Sequence, residues 1–419
     1  MSRRVVFVNR VFWPDPSATS QLLLDLTLAG VGKFDVHVLA STVPDPIASA
    51  RDGLPGISIH RFRMPLATRS GLAPRAVQFL WFHAASGLWL LRHLSRGDVV
   101  VAMTDPPLLS VTAACFCEWR GARLVTWLQD LYPEVAMRLN VPLVSGIAGR
   151  FLQRLRDWSA RVAAANVTIG SRMRDYLVSR GVASDTIEII SNWADERSIV
   201  PVPRDANPLR GDHALEGKFV VGYSGTLGRA HEFDTLLAAA RLLFAHDDVV
   251  FVFFGGGYSL GRLKERVERE KLSARFRFLP LQPRDRLAQS LSLPDVHWVS
   301  LRPELEDCIV PSKIYGIAAA GRPMIAIAGD DGELDRLSRS LGLCAMVRPG
   351  DGRGLAEAIL HLHGNEAARE EAGARTRSLS ETRFSSIASL NAWVDLLDRI
   401  CRDAVASESV EPFDARPVD

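Results

Sequence analysis

Apolar residues gather along this chain in two recurring ways. Short strand-like runs rich in Val, Ile and Phe fall at 5–8, 36–39, 57–62, 99–103, 124–128, 167–169 and 187–190. Longer stretches at 20–31, 72–94, 108–119 and 143–165 instead place apolar residues every three or four positions. Strands buried on both faces read as continuous apolar runs, and the helices that cover them read with a 3.6-residue period. The pattern predicts a doubly wound parallel α/β sheet. A polar, proline-containing stretch at 201–217 reads as a linker, after which the alternation restarts. Strand runs at 220–223, 249–254, 276–279, 296–301, 324–327 and 344–347 are separated by helical stretches at 234–244, 260–271, 287–291, 311–320, 334–341 and 355–362. Two Rossmann-like domains facing across a cleft are therefore expected, over 1–200 and 216–384. A last amphipathic segment at 387–404 precedes a polar, frayed tail at 407–419.

Within the second domain, the stretch V-P-S-K-I-Y-G-I-A-A-A-G-R-P at 310–323 carries the clearest chemistry. Only five of the fifty basic residues are lysines, so Lys313 stands out against an arginine background. Pro311 suits a first helical turn because it has no N–H to leave unpaired, and the free N–H groups of Ser312 and Lys313 favour an anion. The run at 219–237 reads as a strand, a Gly-rich loop and a helix. Gly225 and Gly228 let backbone approach a ligand, with Thr226 between them and Arg229 beyond. Gly255, Gly256 and Gly257 end another strand; they admit the sugar or nucleotide of a donor, or form a simple strand-to-helix turn.

These segments resemble the donor-binding half of the GT-B glycosyltransferases, specifically the family 4 enzymes of bacterial exopolysaccharide and O-antigen assembly. The resemblance extends over nearly the whole chain, through Trp13-Pro-Asp-Pro-Ser-Ala-Thr-Ser-Gln21, Gln129-Asp-Leu-Tyr-Pro-Glu134 and the hinge-like Ser191-Asn-Trp-Ala-Asp195. It implies retention of anomeric configuration, a UDP- or GDP-sugar donor, no metal and no separate cofactor. It also implies a lipid-linked glycan acceptor, a peripheral place at the cytoplasmic face of the inner membrane, and a C-terminal helix at 385–406 crossing back onto the N-terminal domain. No nucleic-acid partner is expected. Three departures from the family pattern matter. The paired glutamates of the family align with Cys308 and Gly316, which leaves Glu304 and Glu306 as candidates for the ribose contact. The Arg and Lys common in the Gly-rich loop align with Thr226 and His231, which shifts the phosphate burden to Arg229 and Lys313. Where the family presents His before Asp, this chain has Gln129-Asp130, so Asp130 is the first candidate for a catalytic carboxylate and Asp105 the second. Asp130 alternatively caps the following turn. Asp15, Ser17, Thr19 and Ser20 are candidates for the acceptor's phosphate or hydroxyls, or Ser17 caps a helix. A sugar-nucleotide epimerase and a catalytically silent binder are the alternatives; labelled-donor turnover and acceptor-dependent UDP release separate them.

Composition changes this picture little. The 419 residues, 47% hydrophobic and 23% charged, suffice for two globular domains. Residues 1–200 carry 22 basic against 16 acidic side chains, which suits either an anionic partner or an ordinary solvated surface. Five scattered cysteines match neither a disulfide framework nor a zinc spacing, as expected in a reducing cytoplasm. The segment at 72–94 joins Phe79, Trp81, Phe82 and Trp89 to flanking Arg75, Arg92 and Arg96. It reads as a helix in a membrane interface or as a core helix packed on the sheet, and 143–161 is its neighbour in this respect.

Overall fold

The computed structural model describes residues 3–42, 53–65, 71–142 and 144–408. It divides into two compact units, Met1–Ile190 with Leu390–Asp419, and Ser191–Ser389. In the first unit, β1 (Arg3–Val8), β2 (Phe34–Ser41), β3 (Ile57–Phe62), β4 (Val99–Ala102), β5 (Arg123–Leu128), β6 (Ala165–Thr168) and β7 (Ile187–Ile189) form one parallel sheet in the order β3-β2-β1-β4-β5-β6-β7. Val5 aligns with Val36 on one side and Val99 on the other, so the apolar runs meet in register at the centre. Helices α1 (Ala18–Gly30), α2 (Leu72–His93), α3 (Leu109–Arg120), α4 (Glu134–Arg138), α5 (Gly146–Val162) and α6 (Ser171–Ser179) make the connections described.

The second unit repeats the plan. Strands β8 (Phe219–Ser224), β9 (Val249–Phe254), β10 (Phe276–Leu279), β11 (Val296–Ser300), β12 (Met324–Ile327) and β13 (Ala345–Val347) are ordered β10-β9-β8-β11-β12-β13. Helices α7 (Pro208–Asp212), α8 (Asp234–Leu242), α9 (Leu260–Arg269), α10 (Leu287–Ser292), α11 (Lys313–Ala319), α12 (Glu333–Leu341), α13 (Gly352–Gly364) and α14 (Glu366–Glu381) follow in chain order. Strand order reverses between β1 and β4, and again between β8 and β11. Ligands of doubly wound sheets sit beyond the carboxyl ends of the strands at such points, which directs attention to the loops after β1, β4, β5, β8, β9 and β11.

The structure corrects the expected linker. Residues 201–217 include α7 and belong to the second unit, because Arg210, nearly sealed from solvent, donates to the Leu293 carbonyl at 2.9 Å and pairs with buried Asp295. Asp295 in turn accepts from the Val220 amide at 2.7 Å, which ties this segment to the first strand of the unit. Two helices lacked an apolar signal. In α6 only Met173 and Leu177 are buried, and α14 buries Gly373, Thr376 and Ser380, small residues that permit close backbone approach. The last helix, α15 (Ser386–Glu408), starts in the second unit, and its residues from Leu390 belong to the first. There Trp393 packs on Trp127 with ring centroids 4.6 Å apart, and Asp398 accepts from Arg3 at 2.8 Å. Residue 143 and the tail from 409 lie outside the described residues.

Candidate functional site

In the second unit the loops after β8 and β9 are joined backbone to backbone. The amides of Gly225 and Leu227 donate to the carbonyls of Phe254 and Gly256, each at 2.8 Å, and Ser259 Oγ donates to the Gly228 carbonyl at 3.0 Å. This contact explains two glycines. At Gly255, φ is +138° and a Cβ would lie 2.2 Å from the Gly225 oxygen; at Gly257, φ is +124° and a Cβ would meet the Leu227 oxygen at 2.6 Å. These two glycines therefore let the loops touch each other, while Gly256 and Gly228 have open space where a side chain would be. Thr226 is exposed on the same loop. Arg229 lies at its rim, with its guanidinium 4.1 Å from the centre of the exposed Tyr258 ring.

Lys313, the first residue of α11, lays its stem against Gly225, where an added Cβ would be 3.2 Å from Lys313 Cε. Its Nζ lies 3.3 Å from His231 Nε2 and 5.1 Å from the centre of the Tyr223 ring. His231 Nδ1 faces the Ser300 carbonyl at 2.7 Å and must carry the ring proton to bond it. Nε2 is then an acceptor, and the lysine donates to it. Burial, and then the Lys313 charge, push His231 down to about 4, so the imidazole is neutral at ordinary pH. Burial pushes Lys313 down to about 8. The result is an ammonium held by one neutral acceptor and one aromatic face. No carboxylate neutralises it in these contacts, and its remaining donors can meet an anion. Helix α11 has only seven residues, with Ser312 at its cap making no side-chain bond, so the ammonium carries this site more than the helix end does. The sequence singled out Lys313 but not His231 as its support, nor Tyr223, whose strand position signals only burial.

The ribose candidates lie differently. Glu306 is buried, accepts from the Gly329 amide at 2.5 Å, and fills the space beside Gly332, where a Cβ would overlap its Oε2. Its carboxylate braces the turn after β12, which corrects the expectation of a group open to ribose. Glu304 is exposed and pairs with Arg302 at 2.5 Å. At Gly316 a Cβ would already stand 3.3 Å from Leu291 Cδ1, and Cys308 is fully buried, so packing occupies both positions where the family has glutamates.

In the first unit Arg10, just after β1, grips Asp105 with two bonds of 3.1 and 2.8 Å. Asp105 is thereby committed to an ion pair. The guanidiniums of Arg10 and Arg75 lie 5.5 and 5.7 Å from the centre of the Phe79 ring. Asp130 follows β5 and is half-buried; among the described residues its carboxylate accepts no hydrogen bond, not even from the Tyr132 amide, and Pro133 has no N–H to offer. The capping alternative is absent here. Desolvation pushes Asp130 up to about 6. The neighbouring Tyr132 phenol is pushed up by burial and by Asp130. Asp15 accepts from the Ser17 amide at 2.9 Å, and Ser17, the N-cap of α1, makes no side-chain capping bond. Ser17 is exposed and Thr19 half-exposed, but Ser20 is turned inward and buried, which removes it from any surface an acceptor could touch directly.

Two doubly wound units, the second presenting a supported lysine where its strand order reverses, are the frame of the GT-B glycosyltransferases, whose family models match both halves of the chain. Residues 22–197 match the model of Glycosyltransferase Family 4, and residues 218–365 that of Glycosyl transferases group 1. The chain belongs to glycosyltransferase family 4. It is 27% identical over 336 residues to the probable glycosyltransferase WbjE of Pseudomonas aeruginosa, covering 80% of this chain and 83% of the relative. It is 28% identical over 263 residues to the putative colanic acid biosynthesis glycosyl transferase WcaI of Escherichia coli K12, covering 60% and 64%. Among solved structures, Anabaena Alr3699/HepE in complex with UDP and glucose superposes with a TM-score of 0.73 at 16% identity, covering 94% and 99%. Sucrose-phosphate synthase from Thermosynechococcus elongatus superposes at 0.71 with 15% identity, covering 95% and 99%.

Proposed function

We propose that this enzyme transfers a hexosyl unit from a UDP-sugar, with retention, to a lipid-linked or polysaccharide acceptor during assembly of a cell-surface glycan, working peripherally at the inner face of the membrane. The observation that carries the reading is Lys313, held by neutral His231 at the switch point of the second sheet. As the glycosidic bond lengthens, negative charge grows on the departing diphosphate, and a positioned ammonium stabilises it. In this reading Lys313 performs the neutralising role without a metal. Arg229 and the amides around Gly228 and Gly256 take the outer part of the donor. The departing phosphate oxygen accepts the proton of the acceptor hydroxyl, and Asp130 orients that hydroxyl or stabilises charge at the anomeric carbon. The UDP-bound neighbour of like fold and the colanic acid relative support the donor and the glycan class.

Thermal shift with UDP-, GDP- and ADP-sugars tests the donor. A cognate ligand at about 100 times its dissociation constant stabilises by roughly 2.7 kcal/mol, and the UDP series is expected to give the shift. A response to GDP-sugars alone overturns that assignment. Turnover of the responding donor is expected to persist in excess chelator.

A further inference from the structure

Beneath Asp130 lies a buried set of charges that the chemistry above does not use. Arg156 of α5 donates from Nε to Asp157 at 3.0 Å and from Nη2 to Glu134 in a short ion pair. Asp157 also accepts from Arg180 at 2.7 Å, while Glu134 accepts from Gln153 Nε2 and the Tyr176 hydroxyl, each at 2.9 Å. Arg156 and Arg180 thus face Glu134 and Asp157, and Arg138 places a third guanidinium 5.6 Å from the centre of the Tyr176 ring. One donor and one acceptor of the cluster are left over: Arg156 Nη1 and Glu134 Oε2 are both sealed from solvent without a hydrogen-bond partner. An unsatisfied buried N–H is costly, and an unplaced water is the usual reason for one. Arg156 also lines a cavity of about 10 Å³ whose walls include Thr104, Ser110, Tyr132 and Asp130. That is about the volume that admits one water, provided it finds two or more polar partners.

We propose that a single ordered water fills this cavity, accepting from Arg156 Nη1 and donating to the Asp130 carboxylate, so that Arg156 is a positioning residue for Asp130. Through that water Arg156 orients Asp130 by a hydrogen bond and not by a direct ion pair. The consequence for turnover rests on the reading of Asp130 as the carboxylate at the reacting sugar; the water and the orientation do not.

Crystal structures of the full chain and of Arg156→Lys, at a resolution that shows ordered solvent, test the proposal. Lysine keeps the charge opposite Glu134 but loses Nη1. One water between Arg156 and Asp130 is expected in the wild type. In the variant the water is lost and the Asp130 side chain turns to another rotamer. With UDP-glucose as probe, kcat is expected to fall about tenfold at unchanged KM, the scale on which outer-shell partners act. A dry cavity in the wild type overturns the proposal, even where the variant fails to fold, and so does an unmoved Asp130 in a folded Arg156→Lys. A lost water and a turned Asp130 with unchanged kcat sustain the positioning and sink only the catalytic role of Asp130.

Discussion

Lys313 is chemically unusual because its ammonium is desolvated yet has no carboxylate in the contacts that hold it. Removing it by Lys313→Ala is expected to lower turnover by 10²- to 10³-fold, about 3 kcal/mol of transition-state stabilisation, with little change in melting temperature. Wild-type turnover in a well-folded variant counts against the role. The pH dependence has a definite sign. Free Lys313 titrates near 8, a bound diphosphate favours its charged form, and so UDP affinity should fall as pH rises through about 8, with proton uptake on binding there. Calorimetry in buffers of different ionisation enthalpy reads both, and an affinity flat across that range contradicts it. Asp130 runs the other way: burial holds it near 6, so turnover should fall as pH drops through about 6. Asp130→Asn should keep donor affinity and lose about 10²-fold in turnover. Lys313 was legible in the sequence because lysine is rare here. The burden carried by His231 was not, since a bond from Lys313 to a residue 82 positions away appears only when β8 and β11 lie side by side.

Among the elements, α2 is buried on one face and apolar on its exposed face. Phe82, Ser86 and Leu90 are buried, whereas Val77, Leu80, Trp81 and Leu88 on the same helix are exposed. The first half of α5 likewise exposes Ile147 and Phe151, at 79% and 59%, beside exposed Arg150 and Arg154. Among the described residues no helix is long and apolar enough to cross a membrane. Aromatic and aliphatic side chains interleaved with arginines suit an anionic lipid surface instead. The protein should float with vesicles containing anionic lipid at low ionic strength and be released by salt, and the double variant Ile147→Ser, Phe151→Ser should weaken that binding. Absence of flotation at low salt would leave these as ordinary solvated faces. The strand-and-helix alternation was readable because buried strands and amphipathic helices each impose a period. Helices α6 and α14 escaped because the first buries a very narrow stripe and the second packs through small residues, neither of which leaves a hydrophobic signature.

Across the whole molecule, α15 ties the C-terminal segment into the first unit, where Trp393 is fully buried against Trp127 and Asp398 pairs with Arg3. Trp393→Ala should destabilise that unit by about 3–5 kcal/mol, lowering its unfolding transition in calorimetry. An unshifted transition would show that α15 contributes little there. The sequence by itself determined the two doubly wound sheets and the lysine and aspartate worth testing, because periodicity, glycine loops and a scarce residue type are local properties of the chain. Only the tertiary structure decided that 201–217 is part of the second unit, that Glu306 braces a turn, that Ser20 is buried, and that Asp105 is spent on Arg10 while Asp130 is not. Each of those outcomes depends on which distant groups share a hydrogen bond or a desolvated space, and strand order, which no local pattern encodes, brings those groups together.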